Sequence, residues 1–499
     1  MAFRLMRKWL LPVLVSGALQ AASIHGVVIE NQTGRPLARA RVELEPLPGV
    51  SAEPVSVRTD RYGAFDFASL PAGSYVITAS RSGFARVEYG QKRWKAAGLP
   101  LSVDRSGMAN LTIRLPRLGS ISGAVLDENE VGLPGHDVVA YRAARPLQLA
   151  ARARTDDRGR YRLSGLEPGK YFVRTVARQF EDAAYLPTFH GDTARPDQAV
   201  AVDVELDRET ESIDIHPEQG RLLTLSGKVV PPMPINVTLV SDTGAENILS
   251  DNDGNFQFPP NAPGQYELYA QAPPDPRLGI QAAYQPITAY ADRNDLRIML
   301  RALPQLQFVF QDSQGQTLDY RSLRIMARRK DLAGTGKPQT LELSGNQLAF
   351  LPGRWELALA PVPGFYVSRV SGPRSAESPR PDGWNELLLT GSVDQVQFVL
   401  APTAATLQGR VIPAGRDPAA GAPVYLESLD SAARRRLKDV QMIHADPQGR
   451  YRFADLAPGN YRVFSSFDFE APDGSVDSRA ARTVRVDESR DLLQDLDLF

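Results

Sequence analysis

Apolar and polar positions alternate along this chain in short runs that predict strands with one buried face. Ile24-His25-Gly26-Val27-Val28, Ile121-Ser122-Gly123-Ala124-Val125, Leu225-Ser226-Gly227-Lys228-Val229 and Leu407-Gln408-Gly409-Arg410-Val411 share an apolar-x-Gly-x pattern, and Leu306-Gln307-Phe308-Val309-Phe310 is a version without glycine. A glycine inside such a strand predicts a bulge or a close backbone approach. Each run leads through a turn rich in glycine and proline, such as Gly34-Arg35-Pro36-Leu37, to a second alternating run, such as Ala40-Arg41-Val42-Glu43-Leu44. A hairpin follows. In Thr59-Asp60-Arg61-Tyr62-Gly63 the aspartate can accept backbone hydrogen bonds across the turn and the glycine can take a positive φ. Phe65 and Phe67, or Tyr161 and Leu163, then share a face directed at the core.

The pattern recurs. Gly63 and Tyr75, Gly159 and Tyr171, Gly254 and Tyr266, and Gly449 and Tyr461 are each 12 residues apart, and a worn copy pairs Gly345 with Trp355. The ring positions follow one another at intervals of 96, 95, 89 and 106 residues, so the chain reads as five units, each the size of a small domain. The expected division is 1–21, 22–117, 118–219, 220–302, 303–402 and 403–499. About seven short antiparallel strands per unit predict an all-β fold, a tandem array of five β-sandwich domains. Helix signals are confined to Ser431 to Val440.

Composition changes this picture little. With 57 basic and 58 acidic residues the net charge is −1, so no overall field draws the protein to nucleic acid, and no nucleic-acid partner is expected. There is no cysteine, hence no disulfide, no thiolate metal site and no lipid-attachable residue. Arg4, Arg7 and Lys8 followed by the apolar stretch Trp9 to Leu19 read as a signal peptide over residues 1–21, cleaved after Ala21 or, alternatively, after Ala18. Nothing further along has the apolar length of a membrane helix, so a periplasmic or extracellular location without a transmembrane segment is expected.

No catalytic constellation emerges. His25, His136, His190, His216 and His444 are scattered with no zinc-binding spacing. Gly119-Ser120-Ile121-Ser122-Gly123 puts isoleucine where a nucleophile elbow needs serine. Asp251-Asn252-Asp253-Gly254-Asn255 begins like a calcium loop, but the twelfth position is Ala262, so it reads as the ordinary hairpin turn. Lys228, with Asn294 or Asp295 as partner and Glu267 as the acid, has the composition of an intramolecular isopeptide site, yet the other units lack the lysine and a solvent-facing role is expected. No cofactor, no metal and no enzymatic activity are predicted. Longer segments between the hairpin ring and the next unit carry Tyr89, Lys92, Arg93, Trp94, Tyr185, Phe189 and His190, the candidate ligand-binding residues, with Trp384 a further loop aromatic.

The apolar-x-Gly-x-Val strand, the Asp-x-x-Gly-x-aromatic hairpin, Gly34-Arg35-Pro36-Leu37 and Leu70-Pro71-Ala72-Gly73-Ser74-Tyr75 together resemble carboxypeptidase regulatory-like domains. Units one, two and five carry the resemblance well, unit three moderately and unit four poorly. Glu88-Tyr89-Gly90-Gln91 leading into Pro100-Leu101 is similar to exported multi-repeat proteins of soil bacteria such as Acidobacteria. The resemblance implies a transthyretin-like or prealbumin-like sandwich, grouped with the carbohydrate-binding-like folds. It also implies an exported, non-enzymatic binding or scaffold protein with a cell-envelope glycan or polysaccharide as ligand. The alternatives are a structural spacer or protein–protein assembly module with an envelope protein partner, and more remotely an accessory part of a peptidase or hydrolase system. Oligomeric state is left open.

Overall fold

The computed structural model describes residues 22–104, 108–143, 147–180, 183–343, 345–360, 362–372, 384–390, 394–402, 405–413, 415, 417–429, 440–470, 481–487 and 491–499. The expected signal peptide lies outside these residues. So does the expected helical stretch apart from Val440, which opens the strand Val440–His444.

Strands fall into five groups, each a sandwich of two sheets, the second carrying in addition a two-stranded hairpin of Arg178–Phe180 and Ala183–Tyr185. In the first, Ala22–Glu30 lies between Ala64–Leu70 and Met108–Leu115, while Val55–Arg58, Arg41–Pro46, Gly73–Ser80 and the short strands Val87–Glu88 and Leu101–Val103 form the facing sheet. Strict alternation along Ala22–Glu30, buried at every second position, is what a strand with one face in a core requires. Each group has its own apolar cluster: Ile24, Val28, Phe67 and Ile77 in the first, Ile121, Val138, Leu163 and Val173 in the second, with equivalents in the other three.

One feature departs from the all-antiparallel expectation. The opening strand of every sandwich pairs in parallel with a strand near the end of the same sandwich, as Ser23 with Met108, Lys228 with Arg297, Leu306 with Asp394 and Leu407 with Leu492. Glu209–Thr210 does the same beside Gly119–Ala124. A parallel partner leaves the sandwich at the end opposite to where the chain entered, which delivers the chain to the next unit.

The landmarks have distinct jobs. Asp60, Asp156 and Asp446 each accept two backbone N–H bonds across their hairpin turn, at 2.8–2.9 Å. Asp251 accepts the Asn255 N–H at 2.7 Å, so the calcium-like stretch is that same turn. The ring residue ties down the strand corner four residues back: Tyr75 donates to Pro71 O at 2.7 Å, Tyr171 to Glu167 O at 2.7 Å, Tyr461 to Ala457 O at 2.9 Å, and Tyr266 to Ala262 O. Trp355 makes the same bond through its indole, Nε1 to Leu351 O at 2.8 Å. Gly345 is not the counterpart of the turn glycines. Gly63, Gly159, Gly254 and Gly449 adopt φ between 73° and 78°, whereas Gly345 is absent from the positive-φ positions and has nothing near it.

Candidate functional site: the junctions between sandwiches

The segments expected to present ligand-binding side chains lie where one sandwich meets another. Between the hairpin ring of the first unit and its last strand, the chain from Val87 to Leu101 reaches the fifth unit. Lys92 Nζ donates to Asp417 Oδ2 at 2.7 Å, which raises the lysine pKa. Ala97 is buried in the core cluster of the fifth sandwich and Leu99 packs against it. Pro100 and Leu47 press on Gly421 so closely that a Cβ there would lie 2.6 Å from the proline ring. On the other side Lys95 Nζ meets Glu167 of the second unit at 3.2 Å. Tyr89 packs half-buried against its own core, Trp94 is half-buried with the Lys95 ammonium 5.9 Å from its ring, and Arg93 is exposed.

In the second unit, Tyr185 and Phe189 are 4% and 0% exposed, so neither ring offers a face to a ligand. Phe189 instead belongs to a small cluster with Val139 and Tyr141 on the outer face of the sheet. Arg174 lies between the rings of Tyr141 and Phe189, 5.4 and 5.3 Å from their centroids, and makes a two-pronged pair with Asp242 of the third unit at 2.9 and 3.1 Å. A planar guanidinium suits both contacts, stacking on rings while its fork meets a carboxylate. Burial works against the charge of Arg174, yet Asp242 outweighs it and raises the pKa. His190 is half-exposed and its Nδ1 is 2.9 Å from Asp214 O within its own unit.

The junction of the third and fourth units is built on Glu267, which sequence reading placed only as the acid of an isopeptide site. Its strand Gly264–Gln271 sends Tyr266, Leu268 and Ala270 into the core, so Glu267 and Tyr269 emerge on the other face by period two. Glu267 is 1% exposed and accepts from Tyr284 OH at 2.8 Å, Tyr269 OH at 3.1 Å and the Leu332 N–H at 3.0 Å, with Arg354 Nε at 3.5 Å. A buried carboxylate with this many donors is satisfied. Burial first, and the hydrogen bond to Glu267 second, push the Tyr284 hydroxyl up to about 12. Burial and the charge of Glu267 likewise raise Asp331. Arg329 stacks over Tyr269 at 3.8 Å. Lys228 is exposed on the strand Leu225–Val230, in the other sheet of the sandwich from Glu267.

Two further contacts complete a circuit. Asn31, Gln32 and the Arg117 N–H all donate to Asp207 at 2.6–2.8 Å, joining the first and second units, and Arg117 also pairs with Glu30. Gly364 N donates to Asp455 Oδ1 at 3.3 Å between the fourth and fifth. Each unit therefore touches its neighbours in sequence, and the fifth returns to the first. Among the described residues no group of three or more histidine and acidic side chains is placed to hold a metal ion, and no helix is long and apolar enough to cross a membrane. Trp384 is 2% exposed, with the Arg328 guanidinium 4.2 Å above its ring.

Comparison with known families gives two matches to the carboxypeptidase regulatory-like domain, over residues 23–115 and 120–207. The first two sandwiches each match the carboxypeptidase regulatory-like domain family. Their matched spans coincide with the strands from Ala22–Glu30 to Met108–Leu115 and from Gly119–Ala124 to the turn at Asp207. No curated protein matches the chain. Among solved structures it is similar to a minor pilin of Streptococcus agalactiae, at 13% identity over 40% of this chain and 97% of the pilin, with a TM-score of 0.24. It is also similar to the shaft pilin of Lactobacillus rhamnosus GG, at 11% identity over 40% of this chain and 98% of that one, with a TM-score of 0.23. The two family matches thus fall on the first two sandwiches, and the three sandwiches after them repeat the same Asp turn or ring corner outside the matched spans.

Proposed function

We propose that this protein is an exported, non-enzymatic scaffold in which five sandwiches hold one another in a closed circuit and so keep their outer faces in fixed relation for protein partners. The observation that carries this reading is the return of the fifth unit to the first: Lys92 on Asp417, with Ala97 inside the core of the fifth sandwich. Segments that would be free to recognise ligand in a string of independent modules are here engaged in holding modules together. The basic start and apolar stretch of residues 4–19 support export.

Small-angle scattering on the full chain tests the closure. A compact chain of this length has a radius of gyration of about 23 Å, and a rod of five sandwiches end to end has about 45 Å or more. A closed circuit is expected below about 35 Å, and a rod-like value would overturn it. A second reading, glycan recognition, is favoured by one observation, the partly exposed Trp94 ring beside exposed Arg93. Binding on a glycan array that disappears in Trp94→Ala would establish that reading.

A further inference from the structure

A cleft of about 520 Å³ opens beside the Glu267 junction, between the third and fourth sandwiches. Its volume is within the range of small-molecule sites. Its wall is mixed, about half of it apolar: Pro273, Pro274 and Pro352 line it beside Asn236, Thr238 and Gln271, and Leu249, 68% exposed, stands at its edge in water. Its cationic group is Arg329. That guanidinium is held flat against Tyr269, its Nε is buried without a hydrogen-bond partner, and no carboxylate lies within ion-pair distance of it among the described residues. The neighbouring acids are engaged elsewhere: Glu267 by two tyrosines, a backbone N–H and Arg354, and Asp331 by the N–H groups of Ala333 and Gly334.

We infer that this cleft binds a small amphiphilic anion, an apolar body carrying one carboxylate or sulfonate, with the anionic group on Arg329 and the body against the prolines and Leu249. The chemistry follows from the lining. A preoriented guanidinium with free N–H capacity recognises an oxyanion. The apolar part of the wall and an exposed leucine gain from covering by a hydrocarbon or aromatic body. This inference is independent of whether the five units form a closed circuit.

The test uses the full chain and two fluorescent probes, 1-anilinonaphthalene-8-sulfonate and its uncharged relative N-phenyl-1-naphthylamine. The sulfonate should bind saturably at one site, and at least about tenfold more tightly than the neutral probe. Arg329→Glu should abolish that preference and Arg329→Lys should retain part of it. Gln271→Trp, which fills the cleft from an exposed strand position, should remove binding of both probes. No saturable binding by the native chain overturns the inference. So does binding that survives Gln271→Trp, which would put the probe elsewhere, or a sulfonate preference that survives Arg329→Glu.

Discussion

Lys92 and Asp417 are 325 residues apart in sequence and 2.7 Å apart in space, so a hydrogen bond joins the first sandwich to the last. Both side chains are partly exposed, at 41% and 27%, and a pair in that setting contributes about 0–1 kcal/mol. The ion pair therefore marks the seam without being its main support. Ala97, 5% exposed within the fifth core, and the pressure of Pro100 and Leu47 on Gly421 supply the apolar part. Lys92→Ala should leave the scattering profile of the chain nearly unchanged. Ala97→Arg, which forces a charge into an apolar core, should raise the radius of gyration toward the rod value. An unchanged profile for Ala97→Arg would show that the seam is held elsewhere.

At the second junction, the buried member of the pair is the cation. Arg174 is 11% exposed in its side chain and Asp242 is 52% exposed. Removing the carboxylate strands a guanidinium between two rings, whereas replacing the guanidinium by an apolar chain of similar length leaves nothing uncompensated. Asp242→Ala should cost about 2–3 kcal/mol, and Arg174→Met about 1 kcal/mol or less. Hydrogen exchange across Val138–Tyr141 and Asn236–Ser241 in each variant measures the ranking. The reverse order would mean that the salt bridge itself, and not the desolvated charge, dominates this contact.

The sandwich repeats were legible in the sequence because an alternating strand and its turn are local: Asp60 bonds residues two and four ahead of it, and Tyr171 bonds a carbonyl four behind. The parallel closing strands were not, since the partner of Ser23 is Met108 and nothing in either strand encodes that distance. Junction residues were hidden for another reason. Period two says that Glu267 and Arg174 point away from their own cores, but a position facing away reads the same whether water or a second sandwich covers it. Tyr185 and Phe189 erred in the opposite sense: aromatic residues in a segment between repeats suggested open faces, and the segment folds back so that one fills the core and the other flanks Arg174.

The corner bonds predict a graded series. Tyr171→Phe deletes only the hydroxyl that donates to Glu167 O, in a residue 1% exposed, and should cost about 1 kcal/mol with up to about 2 more if the carbonyl is left without a donor. Trp355→Phe removes both the indole donor and part of a ring packed against Phe350, and should cost more. Trp355→Tyr should recover part of that loss by presenting a hydroxyl toward Leu351 O. Thermal denaturation of the three variants checks the order. Equal losses in Trp355→Phe and Trp355→Tyr would remove the hydrogen bond from the account.

His136 makes the second unit sensitive to acid. The residue is 0% exposed; burial lowers its pKa from 6.5 to about 4, against which its Nε2 contact with Val176 O at 2.9 Å works only partly. The unfolded chain therefore binds the proton more readily than the folded one. Stability is full above about pH 6.5 and falls as the pH drops from there to about 4, by about 3 kcal/mol from this group alone. Carboxylates titrate in the same interval, so the informative quantity is a difference. Hydrogen exchange within the second sandwich should show the native chain losing more protection between pH 7 and 4.5 than His136→Gln. Parallel losses would mean that the histidine is solvated in the folded state.

Strand glycines give the sharpest contrast between positions that share a residue type. A Cβ on Gly123 would stand 2.1 Å from Ile213 O, and one on Gly409 would stand 1.9 Å from Gln494 O. Those carbonyls are also the acceptors of Tyr161 OH and Tyr451 OH, each at 2.5 Å, so the hairpin ring crosses above the glycine to reach the closing segment. Alanine at either position must push that segment off the opening strand, the contact that ends each sandwich. Gly123→Ala and Gly409→Ala should each cost at least about 2 kcal/mol, in the range of overpacked cores. Gly345→Ala, with nothing within 4 Å and no positive φ to maintain, should change stability by about 0.5 kcal/mol or less. Denaturant midpoints for the three chains decide the matter: a tolerated Gly409→Ala would mean that the closing strand can shift without loss, and that the glycine is not what fixes its approach.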